Sequence, residues 1–379
     1  MRSPAAFISK PRVAVFVACL GILGARSLDA ASLLETMDSE VSSLYQKSKE
    51  AIVRVHAQRA LLIPGLPFGQ PLGQPHRAGT GFFIDGQGRL LTAATVVDDA
   101  ESCWIEWDGQ RIPARILGSD PETNLAVLQV DPEKCVGAGH QMPFLAEGNS
   151  DELKVGSMVI AIGFPYDLPS APSVGFVGGF DIRCGSRQFM TSHFRAGCKL
   201  ARGEGGGPLL NTRGEVVGIA VAMSGDDQCY ALPINAAKKV AANILQDGRV
   251  QHGWVGLNVS ERRIPPASLA SSQWQVSIQQ VHSNSPAAGA GFRDQDILLN
   301  VDTNCVHRSA DVLDAMFLHR CGEQIEFTVL RDGQTQQVTV VVGVRPAAEI
   351  LMAQPPPQLP STQPGTPRLN IVPVSGPQH

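Results

Sequence analysis

A mostly β chain built from several modules is predicted by three observations. Its 379 residues, at roughly 150 per domain, exceed what one hydrophobic core requires. Its 38 glycines and 27 prolines punctuate short apolar runs in the manner of strands and turns. Helical periodicity surfaces in only a few places.

The composition is that of a folded protein, with 43% hydrophobic and 17% charged residues and a formal charge of -4. Residues 1–30 hold Arg2, Lys10, Arg12 and Arg26 against Asp29 alone, a net +3, which leaves -7 on the remainder. An acidic body without a basic stretch excludes a nucleic-acid or anionic-membrane surface. At the N-terminus, basic residues precede the apolar run Val13 to Ala25, with small residues near Leu23-Gly24-Ala25 and Leu28-Asp29-Ala30. That is the layout of a secretory signal, and the run is shorter than the about 20 residues that span a bilayer. Residues 1–30 are therefore expected to be a signal peptide, and the mature protein to be exported to the periplasm or cell envelope.

Export places Cys103, Cys135, Cys184, Cys198, Cys229, Cys305 and Cys321 where disulfides form, and their number is odd. Spacing alone does not pair them. No two lie at metal-ligand spacing, so no metal and no cofactor are expected.

Leu33 to Lys49 reads as a helix and Ala51 to His56 as a strand. Leu62 to Gly79, crowded with proline and glycine, reads as an extended loop. From Gly79 to Val130 apolar runs alternate with Asp85-Gly86-Gln87-Gly88 and Asp108-Gly109. A second series runs from Ser157 to Leu232. Two successive all-β units follow from this pattern. Pro233 to Gly248 then changes period, with Ala237, Val240, Ala241, Ile244 and Leu245 on one helical face and Gly248 at the cap. Gly253 to Val344 mixes strands with a helix that Ser309 is expected to cap, and ends in a hairpin turning at Asp332-Gly333. The last 35 residues hold nine prolines, which predicts a disordered tail.

Local motifs add a family resemblance. Gly79-Thr-Gly-Phe-Phe-Ile-Asp85 with Gly88-Arg-Leu-Leu-Thr-Ala-Ala-Thr-Val-Val97 resembles the histidine-bearing segment of the HtrA (Deg) family of exported trypsin-like serine proteases. Ser119-Asp-Pro-Glu-Thr-Asn-Leu-Ala-Val-Leu128 resembles its aspartate-bearing segment, and Gly203-Glu-Gly-Gly-Gly-Pro-Leu209 its nucleophile turn. Gly253-Trp-Val-Gly-Leu257 and Ser285-Pro-Ala-Ala288 are similar to the start and central loop of its PDZ domain. The resemblance implies a trypsin-like double β-barrel over residues 31–250, an α+β PDZ domain over 251–345 and a disordered tail over 346–379.

By the same resemblance, Thr95 stands where the family has histidine, Asn124 where it has aspartate and Gly205 where it has serine. Without imidazole, carboxylate and nucleophilic hydroxyl, triad chemistry has no parts to work with. The expectation is therefore a pseudoprotease, not an enzyme, that keeps an oxyanion-like turn at Gly203 and Gly205. Its partners would be polypeptides with exposed C-termini or unfolded segments, held by Trp254, Val255, Gly256, Leu257, Val312, Leu313 and Met316 of the PDZ groove, in a scaffolding, chaperone-like or regulatory role. The family assembles as trimers, so a homo-oligomer is implied. Two alternatives stand beside this reading: an active serine-type endopeptidase in envelope quality control, with a displaced constellation involving Ser192, His193 or Glu204, and a structural envelope component.

Overall fold

The computed structural model describes residues 29–59, 76–137, 140–184, 187–224, 228–264 and 273–346. Residues 1–28 of the expected signal peptide, most of the Pro/Gly-rich loop and residues 347–379 of the expected tail lie outside these. Two compact units divide the chain, Met1–Gln251 and His252–His379.

The first unit opens with helix α1 (Asp29–Ser48). It continues into a closed six-stranded barrel of β1 (Ile52–Gln58), β2 (His76–Phe83), β3 (Arg89–Thr92), β4 (Ser102–Trp107), β5 (Gln110–Asp120) and β6 (Leu125–Val130), in the order β1-β2-β3-β6-β5-β4. A short helix between β3 and β4, α2 (Ala94–Val97), was not predicted. Its four residues are too few for a periodic signal. After α3 (Pro132–Val136) a second closed barrel forms from β7 (Met158–Gly163), β8 (Ala171–Cys184), β9 (Arg187–Ala196), β10 (Pro208–Leu210), β11 (Val216–Ser224) and β12 (Gln228–Pro233), ordered β10-β11-β12-β9-β8-β7.

Alternation explains both barrels. Val53, Val55, Ala57, Leu90, Ile105 and Leu128 fill the first, and Val159, Ala161, Val177, Phe194, Leu209 and Ala231 fill the second, all buried. Each large side chain so buried contributes roughly 1.5–3 kcal/mol. Closure also leaves these sheets without free edges. Helix α4 (Ile234–Asp247) follows, ended by Gly248 in the left-handed conformation. Its buried face is Ala237, Val240, Ala241 and Ile244, while Leu245 is 39% exposed.

The second unit contains β13 (Gly253–Trp254), β14 (Leu257–Ile264), β15 (Gln273–Val281), α5 (Pro286–Ala290), β16 (Ile297–Val301), β17 (Asn304–Cys305), α6 (Ser309–Leu318), β18 (Gln324–Arg331), β19 (Gln334–Val341) and β20 (Gly343–Val344). Its main sheet runs β14-β15-β16-β18-β19, with β14 on an edge. Ser309 proves to be the first helical residue of α6. Arg308 is the N-cap, and the Asp311 carboxylate accepts the Arg308 N–H at 2.8 Å.

Candidate functional site

Thr95 and Asn124 meet in the first barrel. Asn124 lies in the left-handed region (φ 58°), which asparagine tolerates better than most residues, and it is buried. Its backbone carbonyl accepts the Ala94 N–H at 3.1 Å. Its Oδ1 accepts the Thr95 N–H at 2.9 Å. Together these cap α2 from another part of the chain, satisfying donors that a helix start leaves open. The Asn124 Nδ2 donates to the Val221 carbonyl of β11 at 2.7 Å, which ties the first barrel to the second. Arg77 closes the other end of α2 by donating to the Thr95 carbonyl at 2.8 Å. The Thr95 side chain is left exposed.

The turn Gly203 to Gly207 is held from β2. Thr80, fully buried, donates its N–H to the Gly205 carbonyl at 2.9 Å and its hydroxyl to the Gly203 carbonyl at 2.8 Å. Gly206 donates to Ala220, and Gly207 donates back to Glu204 at 3.0 Å. Gly206 has φ 86°, and a Cβ there would overlap Ala93 N and the Thr80 carbonyl, so only glycine fits. The run of three glycines is thus firmly anchored. By contrast a Cβ at Gly205 meets nothing within 4 Å, and Gly205 is exposed. Among the described residues the N–H groups of Gly203 and Gly205 have no hydrogen-bond partner. Two such donors around an open position are the parts needed to polarise a carbonyl oxygen.

Of the displaced candidates, Glu204 adjoins this turn. It is 4% exposed, its Oε2 accepts the Ala201 N–H, and burial pushes its carboxyl above the usual range, against the lowering effect of that N–H. His193 is committed elsewhere. It is buried, Nδ1 faces the Thr191 carbonyl at 2.9 Å, and its ring stacks on Phe189 at 3.9 Å. Ser192 is only half-buried, in keeping with neighbours on a strand pointing to opposite faces.

In the second unit, the expected groove residues separate into two groups. Leu257, Leu313 and Met316 are half-buried, beside the free edge of β14 and on α6. Val255 and Val312, each 5% exposed, belong to the core. Both side chains pack among apolar neighbours. Gly256 (φ 86°) turns the chain between β13 and β14, and a Cβ there would overlap the Ser285 side chain. Trp254, half-buried, lies 5.8 Å from His282 between ring centroids.

Sequence reasoning missed the clamp between β14 and α6. Glu261 accepts Arg308 Nε at 3.0 Å and Nη2 at 2.7 Å, and also the Ser309 N–H at 2.9 Å. Arg308 further lies over Trp274, 4.3 Å from its ring centroid. The hydrogen bond from Arg308 holds the Glu261 carboxyl below its usual range. Nothing local in the sequence links partners so far apart. Among the described residues there is no cluster of three or more metal-ligating side chains, and no helix is long and apolar enough to cross a membrane.

Comparison with known proteins covers both units. Residues 79–219 match the trypsin-like peptidase domain and residues 245–342 the PDZ domain. A probable periplasmic serine endoprotease DegP-like of Halomonas elongata is 28% identical over 87% of this chain and 75% of its own length. The DegP-like relative of Chlamydia trachomatis is 30% identical over 73% of this chain, which spans 57% of that relative. The putative serine protease HhoB of Synechocystis is 29% identical over 81% of this chain and 79% of its own length. Among solved structures, the HtrA-type protease AlgW with tripeptide superposes with a TM-score of 0.66 at 23% identity, over 82% of this chain and 98% of AlgW, a likeness of fold.

These findings overturn the expectation that the chain is not an enzyme, because its relatives are named as serine endoproteases. That expectation rested on three side-chain identities placed by local motif matching. The oxyanion-like turn expected at Gly203 and Gly205 consists of backbone groups and does not depend on those side chains. The chain thus carries a trypsin-like peptidase domain followed by one PDZ domain, and over most of its length it is similar to DegP-like and HhoB serine proteases.

Proposed function

We propose that the chain, exported after loss of residues 1–30, engages exposed C-termini or unfolded segments of polypeptides through its PDZ domain and acts on them as an endopeptidase through its double barrel. The observation that carries this reading is the pair of unpartnered N–H groups at Gly203 and Gly205 beside an open position. They provide the polarisation that acyl transfer needs. The names of the DegP-like relatives support it.

Serine, histidine and aspartate do not stand at residues 205, 95 and 124, so the proton-transfer group is proposed to be Glu204, which adjoins the turn and whose carboxyl is pushed above its usual range by burial. A holding or scaffolding role, possible for the PDZ groove alone, is the second reading, favoured by the free edge of β14 beside α6. Oligomerisation, by likeness to the family, would multiply weak peptide contacts.

The test is turnover of casein and a fluorogenic peptide library by the mature chain. Turnover that falls on the order of 10²-fold or more in Glu204→Gln supports the proposal. Turnover unchanged in that variant removes Glu204 from the chemistry. No turnover, with C-terminal peptides still bound, favours the holding role.

A further inference from the structure

The cysteines that spacing left unpaired include two that meet in the second barrel. Cys229 on β12 lies opposite Ala196, at the end of β9, in the antiparallel ladder. The chain leaving β9 carries Cys198 into the same apolar cluster as Cys229. Both are 0% exposed, and the two thiols lie close enough for each to shift the ionisation of the other. On its other side the Cys198 sulfur is pressed against β8, where a Cβ at Gly175 would come within 2.7 Å of it. Sulfurs in such contact join with small side-chain rotations.

We infer that Cys198 and Cys229 form a disulfide site, closed during folding by exchange with a low-molecular-weight disulfide such as oxidised glutathione or with the disulfide of a thiol oxidase. In the first step one cysteine thiolate attacks a sulfur of the oxidant, forming a mixed disulfide and releasing one thiol. The second cysteine thiolate then attacks the cysteine sulfur of that mixed disulfide and releases the other thiol. Two cysteine thiols give up two protons and two electrons, and the oxidant's disulfide bond is reduced to two thiols.

Burial sets the timing. Neither sulfur is reachable once the barrel has closed, so exchange precedes the docking of β9 on β12. Cys103 and Cys135 belong to the first barrel, and once it has formed burial pushes their thiols up to about 12 and about 11, so in the folded chain they are poor thiolates. The proposed bond would fasten the segment entering the Gly203 to Gly207 turn onto β12, so that oxidation stiffens the turn's approach. It does not depend on whether the chain hydrolyses peptides.

The experiment uses the mature chain refolded with mixed oxidised and reduced glutathione, then denatured in iodoacetamide, digested and mapped by mass spectrometry. The expected result is one linked pair of peptides containing Cys198 and Cys229, with Cys103 and Cys135 alkylated. A reductant should lower the thermal midpoint of this chain by roughly 5–15 °C, and should not do so in the Cys198→Ala, Cys229→Ala double variant. Alkylation of both cysteines, glutathione adducts without a link, or a link to another cysteine would overturn the inference. Reductant sensitivity persisting in the double variant would do the same. Should that variant not fold, the wild-type peptide map decides by itself.

Discussion

Asn124 makes hydrogen bonds to three residues: its carbonyl accepts from Ala94, its Oδ1 accepts from Thr95 and its Nδ2 donates to Val221. Replacing it with alanine removes both side-chain bonds and leaves a β11 carbonyl and an α2 amide unpaired in the interior. Asn124→Ala is expected to destabilise the first unit by about 2–6 kcal/mol, at about 1–3 kcal/mol for each of the two groups left unsatisfied, as read from urea unfolding. Asn124→Asp keeps an acceptor for Thr95 but sets a carboxylate oxygen against the Val221 carbonyl, and should be destabilised at neutral pH as well. Glu204 supplies a pH dependence. Its folded pKa is raised by burial, so the folded state holds its proton where the unfolded chain has lost it. Its contribution to stability is therefore full below the ordinary carboxyl pKa and is lost as pH rises through the folded value. Thermal midpoints measured across that range should fall in the parent chain and stay flatter in Glu204→Gln. A midpoint slope unaltered by the substitution would show that burial does not penalise this carboxylate.

At the scale of elements, much was legible because turns and alternation are local. Asp85-Gly86-Gln87-Gly88 and Asp108-Gly109 marked the hairpins of the first barrel, and the series of apolar runs read as far as Val130 ends where the strand Leu125–Val130 ends. The α4 helix showed itself by its apolar spacing and by Gly248. What escaped was set by tertiary contact. The α2 helix owes its start to Asn124, a residue beyond the next two strands. Val255 and Val312, apolar like the other expected groove residues, pack in the buried cluster of the second unit. The Glu261–Arg308 clamp joins β14 to the start of α6. Because the Arg308 guanidinium is partly exposed, the clamp's value lies less in stability than in fixing where α6 sits. Arg308→Ala is expected to weaken binding of peptides selected by C-terminal display roughly threefold to tenfold, with little change in the thermal midpoint. Isothermal titration separates the two effects. Gly256→Glu is a poor probe of the same groove, since any Cβ there collides with Ser285.

Over the whole molecule, the two compact units meet in sequence at Gln251 and His252, just past the Gly248 cap of α4. Each has its own buried cluster. Limited trypsin digestion is expected to cut near Arg249 first and to release two protected fragments, seen by gel and mass spectrometry; cleavage first inside β1 to β6 would contradict separate cores. Within the first unit the barrels are not independent in the same way, because the carboxamide of Asn124 is shared between them. A residue at that place must accept from one amide, donate to one carbonyl and tolerate a positive φ, all without reaching water. Scarcely any side chain but asparagine meets all three demands, so saturation mutagenesis scored by folding alone should find position 124 among the least permissive in the chain, whatever the protein's activity turns out to be.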